Sequence, residues 1–79
     1  MWTVYIIKSE GGLFYRGITR DLKKRLSDHN TGINKWTKRG NNWKLIYSEN
    51  YRTAKEARIR EKYFKNTAGR EWLRRRSII

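Results

Sequence analysis

Cysteine and proline are both missing from this 79-residue sequence, and histidine occurs only once. Without cysteine there is no disulfide framework and no thiolate zinc site, and one histidine is too few for a histidine-rich metal site. Nothing in the cysteine usage calls for an oxidising compartment. The lack of proline and of low-complexity sequence leaves no candidate linker, so we predict one domain over residues 1–79.

Long apolar runs are missing as well. No stretch approaches the roughly 18 apolar residues that a membrane-spanning helix needs. The N-terminal sequence MWTVYIIKSE has neither the basic region nor the longer apolar core of a signal peptide. We therefore expect a cytoplasmic protein that does not associate with a membrane.

Acidic residues are scarce: seven Asp plus Glu stand against twenty Lys plus Arg, which gives a formal net charge of +13. The basic residues are spread along the chain, so the folded surface itself carries the positive field. This favours nucleic acid as the partner. An anionic membrane surface is a rival interpretation, but it would favour a basic amphipathic helix, which only the last ten residues resemble. A charged surface that serves only solubility is the third interpretation.

The order of predicted elements is β-β-α-β-α-α, which is typical of a small antiparallel sheet with helices packed on it, an α/β protein of the α+β type. Runs rich in aromatic and β-branched residues predict the strands, and apolar residues spaced three and four apart predict the helices. We predict strands at 2–9, 13–19 and 43–51, helices at about 20–31 and 54–65, and, after a break at Gly69, a shorter third helix or a frayed tail.

The first two strands carry two tyrosines, Tyr5 and Tyr15, whose relation depends on the length of the hairpin loop. A three-residue loop at 10–12 places both tyrosines on one face of the sheet, with Gly17 opposite Tyr5. A two-residue turn at 11–12 would put them on opposite faces. In the first register, the missing side chain of Gly17 would leave a gap in the sheet surface that a phosphate could enter.

The first predicted helix places ionisable residues beside apolar ones. Leu22, Arg25, Leu26 and His29 fall at i, i+3, i+4 and i+7 and therefore share one side of the helix. His29 either takes part in a site or simply forms a hydrogen bond near the end of its helix, where a cation is favoured. Arg25 borders the face that points to the core.

The second predicted helix carries a carboxylate, Glu61, on the same stripe as Ala57 and Phe64. A carboxylate that faces the interior is costly unless it is paired, hydrogen-bonded or bound to a metal. A salt bridge to Arg25 or Arg58 is the structural interpretation of Glu61. A metal site is the functional one.

Five segments in a fixed order resemble the GIY-YIG nuclease superfamily: VYI at 4–6, YRG at 15–17, then ITRDLKKRLSDHNTG, TKRGNNWKLIYSE and EARIREKYFK. The chain looks most like the small stand-alone bacterial members, and it is similar to the nuclease domain of the excision-repair incision subunit and to homing endonucleases of this type. The resemblance runs from Thr3 to about Trp72. Thr3 stands in place of the glycine of the first motif, and Arg16 in place of the isoleucine of the second.

The resemblance implies a central three-stranded antiparallel sheet and a DNA endonuclease, of a kind found in DNA repair, that depends on Mg2+ or Mn2+. The catalytic positions of the family fall on Tyr5, Tyr15, Arg25, His29 and Glu61. Glu61 would bind the metal, Arg25 the phosphate, and Tyr15 would orient the water or the phosphate. Tyr5 is the candidate general base. Because a free phenol has a pKa near 10, we expect cations such as Arg25, His29 or the metal to hold it as phenolate.

Further basic residues are predicted to contact nucleic acid: Arg16, Lys24, Lys35, Lys38, Arg39, Arg58 and Lys65. Three of them, Lys35, Lys38 and Arg39, precede or form the TKRG segment at 37–40, for which a solvated turn is the alternative. DNA is the expected substrate, with RNA left open. In a chain this short, specificity would come from substrate structure, a homodimer or an accessory protein. The competing hypothesis is a basic nucleic-acid-binding module without catalysis.

Overall fold

The computed structural model describes residues 1–32 and 37–79. The elements follow in this order: β1 (Trp2–Lys8), β2 (Phe14–Thr19), α1 (Leu22–Asn30), a short 3-10 turn (Thr37–Arg39), β3 (Lys44–Tyr51), α2 (Ala54–Lys65) and α3 (Thr67–Arg75). The strands form one antiparallel sheet in the order β2-β1-β3. The predicted α+β class, with three antiparallel strands and helices packed on them, is confirmed.

A three-residue loop closes the hairpin between β1 and β2. The Ser9 amide donates to the Leu13 carbonyl over 2.9 Å, and Gly12 adopts a positive φ of 90° that suits a residue without a side chain. In the resulting register Tyr5 lies opposite Gly17, as the longer loop predicted. The alternative two-residue turn is therefore excluded.

The alternation of side chains along β1 divides the core between the two faces of the sheet. One face packs on α2 and α3 through the buried residues Val4, Ile6, Ala57, Phe64 and Leu73. The other face is covered by α1 and contains the buried residues Tyr5, Ile7 and Trp43, with Leu22 and Leu26 packed against them. Each fully buried apolar side chain contributes about 1.5–3 kcal/mol. We call these the α2/α3 face and the α1 face.

Short polar side chains begin each helix. The Asp21 carboxylate accepts a hydrogen bond from the Lys24 amide over 3.1 Å at the start of α1, and the Thr53 hydroxyl accepts one from the Glu56 amide over 3.2 Å at the start of α2. Such caps satisfy amides that the helix leaves without a partner, and each stabilises by about 1 kcal/mol. Across residues 1–32 and 37–79, no helix is long and apolar enough to cross a membrane.

The prediction that Gly69 breaks the second helix is wrong. Asn66 separates α2 from α3, and its side-chain oxygen accepts a hydrogen bond from the Gly69 amide over 2.9 Å, which begins α3. Gly69 is a buried residue of α3, where an added Cβ would overlap the carbonyl of Tyr63 at the end of α2. Glycine is needed here for close packing of two helices.

Candidate functional site

Three polar side chains form a buried chain beneath α1. The hydroxyl of Tyr5, in the middle of β1, lies 2.7 Å from Nε2 of His29, near the end of α1. Nδ1 of the same imidazole lies 2.9 Å from the hydroxyl oxygen of Thr37. Tyr5 and His29 are each 1% exposed and Thr37 is fully buried. Both ring nitrogens of His29 therefore have a partner, which fixes the orientation of the ring.

Tyr15 completes an aromatic group with Tyr5 and His29, which we call the Tyr5 cluster. Its ring centroid lies 4.7 Å from that of His29 and 6.2 Å from that of Tyr5. Tyr15 is half-buried, whereas the other two members are buried. The predicted placement of both tyrosines on one face is confirmed, and Tyr15 is the member that borders the solvent.

Gly17 lies beneath the two phenol rings. A Cβ added at Gly17 would come within 2.7 Å of the Tyr5 hydroxyl oxygen and 3.1 Å of Cε1 of Tyr15. The predicted phosphate-sized gap at Gly17 is wrong, because the ring of Tyr5 folds over the glycine opposite it and fills the space. Gly17 instead permits the phenol to lie close against the strand.

The electrostatic environment keeps Tyr5 neutral. Burial raises the pKa of Tyr5 well above its ordinary 10.0, the neighbouring Tyr15 and Glu61 raise it further, and Arg25 only partly opposes them. Arg25 and His29 by themselves therefore do not hold Tyr5 as phenolate, and the part of the prediction that assigns this effect to a metal stays a prediction. Removal of the phenol from water outweighs the positive charge around it.

The same buried environment lowers the pKa of His29, whereas it raises that of Tyr5. Burial lowers the pKa of His29 below its ordinary 6.5, and Arg25 lowers it further, while Asp28 opposes both. His29 is consequently a neutral imidazole at pH 7. A neutral imidazole hydrogen-bonded to a neutral phenol can accept the phenol proton.

Glu61 of α2 is half-buried, with 20% of its side chain exposed, and its charge is felt at Tyr5. Its ion pair is with Lys65 of the same helix, at 3.8 Å. In the described part of the chain it forms no ion pair with Arg25 or Arg58, so this structural interpretation is wrong. A contact of this length to an exposed lysine is weak. The carboxylate oxygens of Glu61 stay available to another ligand.

The donor set fits a hard divalent cation that brings its own water. The described residues contain no group of three or more His, Cys, Asp or Glu side chains that could hold a metal. Mg2+ is commonly bound by one or two carboxylates, with water and substrate phosphate in its remaining positions. Glu61 is sufficient as the share of the protein in such a site.

The residues predicted to contact nucleic acid divide into three groups. Lys24, Lys38, Arg39, Arg58 and Lys65 are exposed. Lys35 lies outside the described residues. Arg16 is half-buried and points to the α2/α3 face, away from Tyr15. Thr37, predicted as part of a DNA-contacting or solvated segment, is instead buried against His29, while Lys38 and Arg39 beside it are exposed.

Two residues that the sequence did not single out hold Thr37 in place. The side chain of Asn30 accepts a hydrogen bond from the Trp43 amide over 2.7 Å and donates to the Trp43 carbonyl over 3.1 Å. The indole nitrogen of Trp43 donates to the Thr37 carbonyl over 2.9 Å. These contacts join positions 6 to 13 residues apart across a loop, and no periodicity in the sequence indicates them.

A family model described as the GIY-YIG catalytic domain matches residues 1–75. The chain belongs to the GIY-YIG family. This confirms the resemblance seen in the motifs, and it implies a nuclease domain with nucleic acid as its substrate. The candidate site residues lie within the matched region.

Relatives of the chain carry the family name UPF0213. A UPF0213 protein of Streptococcus agalactiae is 40% identical over 63 residues, which cover 78% of this chain and 72% of the relative. YazA of Bacillus subtilis is 40% identical over 62 residues, 77% of this chain and 63% of the relative. The solution NMR structure of a UPF0213 protein of Bacillus halodurans superposes with a TM-score of 0.58 at 26% identity, covering 99% of this chain and 85% of that one.

Proposed function

We propose that this GIY-YIG domain is a DNA endonuclease that depends on Mg2+ or Mn2+ and hydrolyses a phosphodiester at the Tyr5 cluster. The observation that carries the proposal is the buried 2.7 Å hydrogen bond between Tyr5 and His29. The environment raises the pKa of the phenol and lowers that of the imidazole. These shifts oppose full transfer of the phenol proton to the imidazole, so the phenol gives up its proton only as it takes one from the attacking water. Strongly shifted pKa values of neighbouring groups are typical of functional sites.

The pair relays protons in one direction, from the attacking water through Tyr5 to His29. Tyr5 takes a proton from the attacking water as it gives its own proton to Nε2 of His29. The resulting hydroxide forms a bond to phosphorus, and the bond from phosphorus to the 3′ oxygen breaks. The relay requires the tautomer in which Nδ1–H donates to the Thr37 hydroxyl, 2.9 Å away, so that Nε2 is the accepting nitrogen. The imidazolium then returns its proton to the solvent or to the leaving oxygen.

Three further residues bind and orient the substrate. Arg25 is always protonated, and it offers the phosphate planar, charge-assisted hydrogen bonds. Tyr15, at the border with the solvent, orients the water or the phosphate. Glu61 would hold the divalent ion, which when bound supplies Lewis-acid stabilisation of charge on the phosphoryl and leaving oxygens.

Binding of nucleic acid without cleavage is the second candidate function, and the net charge of +13 favours it. Under either function we expect substrate choice to come from DNA structure, from a homodimer or from an accessory protein. Substitution of Glu61 separates the two candidates, because a binding module has no cleavage to lose.

The test uses purified protein, Mg2+ or Mn2+, and a panel of plasmid, flap, junction, nicked, single-stranded and RNA substrates. We expect the unaltered protein to cut at least one of them. Glu61→Gln should reduce the rate at least about 100-fold while its affinity is kept. Glu71→Gln, which removes a carboxylate from the surface of α3, is the matched control and should cut normally. If every substrate that is bound stays intact, the endonuclease proposal fails and the binding module stands.

A further inference from the structure

Arg16 occupies a position on β2 whose neighbours are apolar. Phe14 and Ile18, two residues before and after it, point to the same α2/α3 face and pack against the core there. In the family motif this position is an isoleucine, which would suit such a surface. The chain has instead placed a permanent positive charge at the edge of its core.

The guanidinium of Arg16 is incompletely partnered. Its Nε atom is buried and has no hydrogen-bond partner, although the residue as a whole is half-buried. Across residues 1–32 and 37–79, no carboxylate forms an ion pair with it. A buried donor without a partner is rare in native proteins, and an absent ion or water is among its ordinary explanations.

The positive charge of a second arginine acts on the first. The pKa of Arg16 is lowered by burial and by the positive charge of Arg70 on α3. Arg70 is a residue of α3, one of the two helices that pack on the face of the sheet to which Arg16 points. Two like charges beside an orphaned donor repel each other, and an anion bound between them removes both penalties.

We propose that Arg16 and Arg70 bind a phosphate group of the nucleic acid strand, other than the phosphate that is cleaved. Guanidinium groups match the geometry of phosphate oxygens and form charge-assisted hydrogen bonds with them. β2 is an edge strand, and adjacent Tyr15 and Arg16 project to opposite faces of it. The nucleic acid strand that contacts the Tyr5 cluster on one side of this edge contacts Arg16 and Arg70 on the other side. The identity of the ligand rests on the proposed function.

The experiment measures DNA affinity without metal, in protein that carries Glu61→Ala, over a series of salt concentrations. We expect Arg16→Ile and Arg70→Gln each to weaken binding about tenfold at low salt. Each should reduce the slope of log affinity against log salt by about 0.7–0.9, the value for one phosphate contact. The double substitution should weaken binding by less than the product of the two single effects, because both arginines hold one phosphate.

Arg52→Gln is the matched control, because Arg52 is exposed and follows β3, the opposite edge of the sheet. Its affinity should change at most about twofold. Arg16→Ile should melt at the same or a higher temperature than the unaltered protein, since it removes a buried, unpaired donor. Weaker binding with undiminished stability excludes simple misfolding. Unchanged affinity and slope in Arg16→Ile and Arg70→Gln would overturn the proposal.

A second measurement distinguishes a strand phosphate from a free anion. The Nε–H resonance of Arg16, followed by NMR, should shift on addition of single-stranded DNA. A shift with millimolar inorganic phosphate but none with DNA would overturn the assignment to nucleic acid. Because binding is measured without metal or cleavage, a failure of the nuclease proposal leaves this result standing, and the reverse holds as well.

Discussion

Tyrosine, carboxylate and arginine occur together twice in this molecule. The Tyr5 cluster lies on the α1 face, and the charges of Arg25 on α1 and of Glu61 on α2 both act on Tyr5. On the α2/α3 face Tyr47, Tyr51 and Arg60 surround Glu49, a group that we call the Glu49 cluster. The residue types are the same, so composition does not distinguish a candidate site from part of the scaffold.

The Glu49 cluster is fully satisfied. Glu49 accepts hydrogen bonds from the hydroxyls of Tyr47 and Tyr51 and from Nε and Nη2 of Arg60. Burial alone would raise the pKa of Glu49, but these hydrogen bonds outweigh it and hold the pKa below its ordinary 4.5. Burial and the carboxylate together raise the pKa of Tyr51 to about 12. Arg60 also lies 4.6 Å from the ring centroid of Trp72.

The candidate site leaves its groups open by comparison. Within residues 1–32 and 37–79, the ion pair of Glu61 is a contact of 3.8 Å to an exposed lysine, and the charge of Arg25 acts on Tyr5 and His29. Groups that are saturated by neighbours stabilise the fold, because every polar atom has its partner. Groups whose hydrogen-bonding capacity is unused can bind a ligand. The number of satisfied atoms, and not the residue type, separates the two clusters.

The largest expected effect contrasts the two sets of tyrosines. Tyr5→Phe removes the hydroxyl that relays the proton to His29 in the proposed mechanism, and we expect the rate of cleavage to fall about 10²- to 10⁴-fold, because the barrier rises by about 3–5 kcal/mol. Tyr47→Phe removes a hydroxyl from the Glu49 cluster and should cut normally under conditions where the protein is folded. Single-turnover cleavage measures both. Normal cleavage by Tyr5→Phe would show that the phenol plays no part in the chemistry.

The next effect contrasts the two carboxylates in stability. Glu49→Gln breaks an ion pair whose acidic partner is 17% exposed, and we expect it to lower the free energy of unfolding by about 2–4 kcal/mol. Glu61→Gln loses only a loose surface contact and should lower it by less than about 0.5 kcal/mol. Urea denaturation followed by tryptophan fluorescence compares the two. Equal losses would contradict the distinction between a saturated and an open carboxylate.

The smallest effect concerns pH. The pKa of His29 is lowered from 6.5, so the imidazole is neutral at pH 7 and charges only as the pH falls well below 6.5. Cleavage should therefore be constant near pH 7 and decline on the acidic side, through the lowered pKa. Arg25→Gln removes a cation that depresses this pKa and should move the acidic limb to higher pH, toward 6.5.

Glu49→Gln is the control for the pH profile. It changes charge on the other face of the sheet, and the acidic limb should stay where it is. If the acidic limb of the profile lies at the same pH in Arg25→Gln as in the unaltered protein, His29 is not the group that titrates.

The sequence predicts the arrangement of the site better than its protonation. The glycines after Glu10 limit the hairpin to two registers, and the structure has the one with a three-residue loop, which places Tyr5 opposite Gly17. The ionisation of Tyr5 depends on how completely Trp43 and α1 exclude water, and that is a property of the packed molecule. The resemblance therefore led to a phenolate stabilised by cations or a metal, whereas the folded environment of the protein without metal favours the phenol.

Two other outcomes depend on contacts that only the fold creates. The sequence predicts that Thr37 belongs to a basic surface segment. Thr37 is instead buried, with its hydroxyl against His29 and its carbonyl bonded to the indole of Trp43, just before β3. The sequence predicts that Gly69 breaks a helix. The helix boundary instead lies three residues earlier, at Asn66, whose side chain caps α3 by accepting a hydrogen bond from the Gly69 amide. In both cases a tertiary or capping contact outweighs the local preference of the residue.

The double hydrogen bond between Asn30 and the backbone of Trp43 offers a natural reporter of the integrity of the site. Asn30 directly follows His29, and Trp43 directly precedes β3 and holds Thr37, so opening of this clamp would separate the members of the buried chain. The amide proton of Trp43, 2.7 Å from the Asn30 oxygen, exchanges with solvent deuterium only when the clamp opens. Its exchange rate would therefore measure how often the proton relay is dismantled in the native protein, without any substrate present.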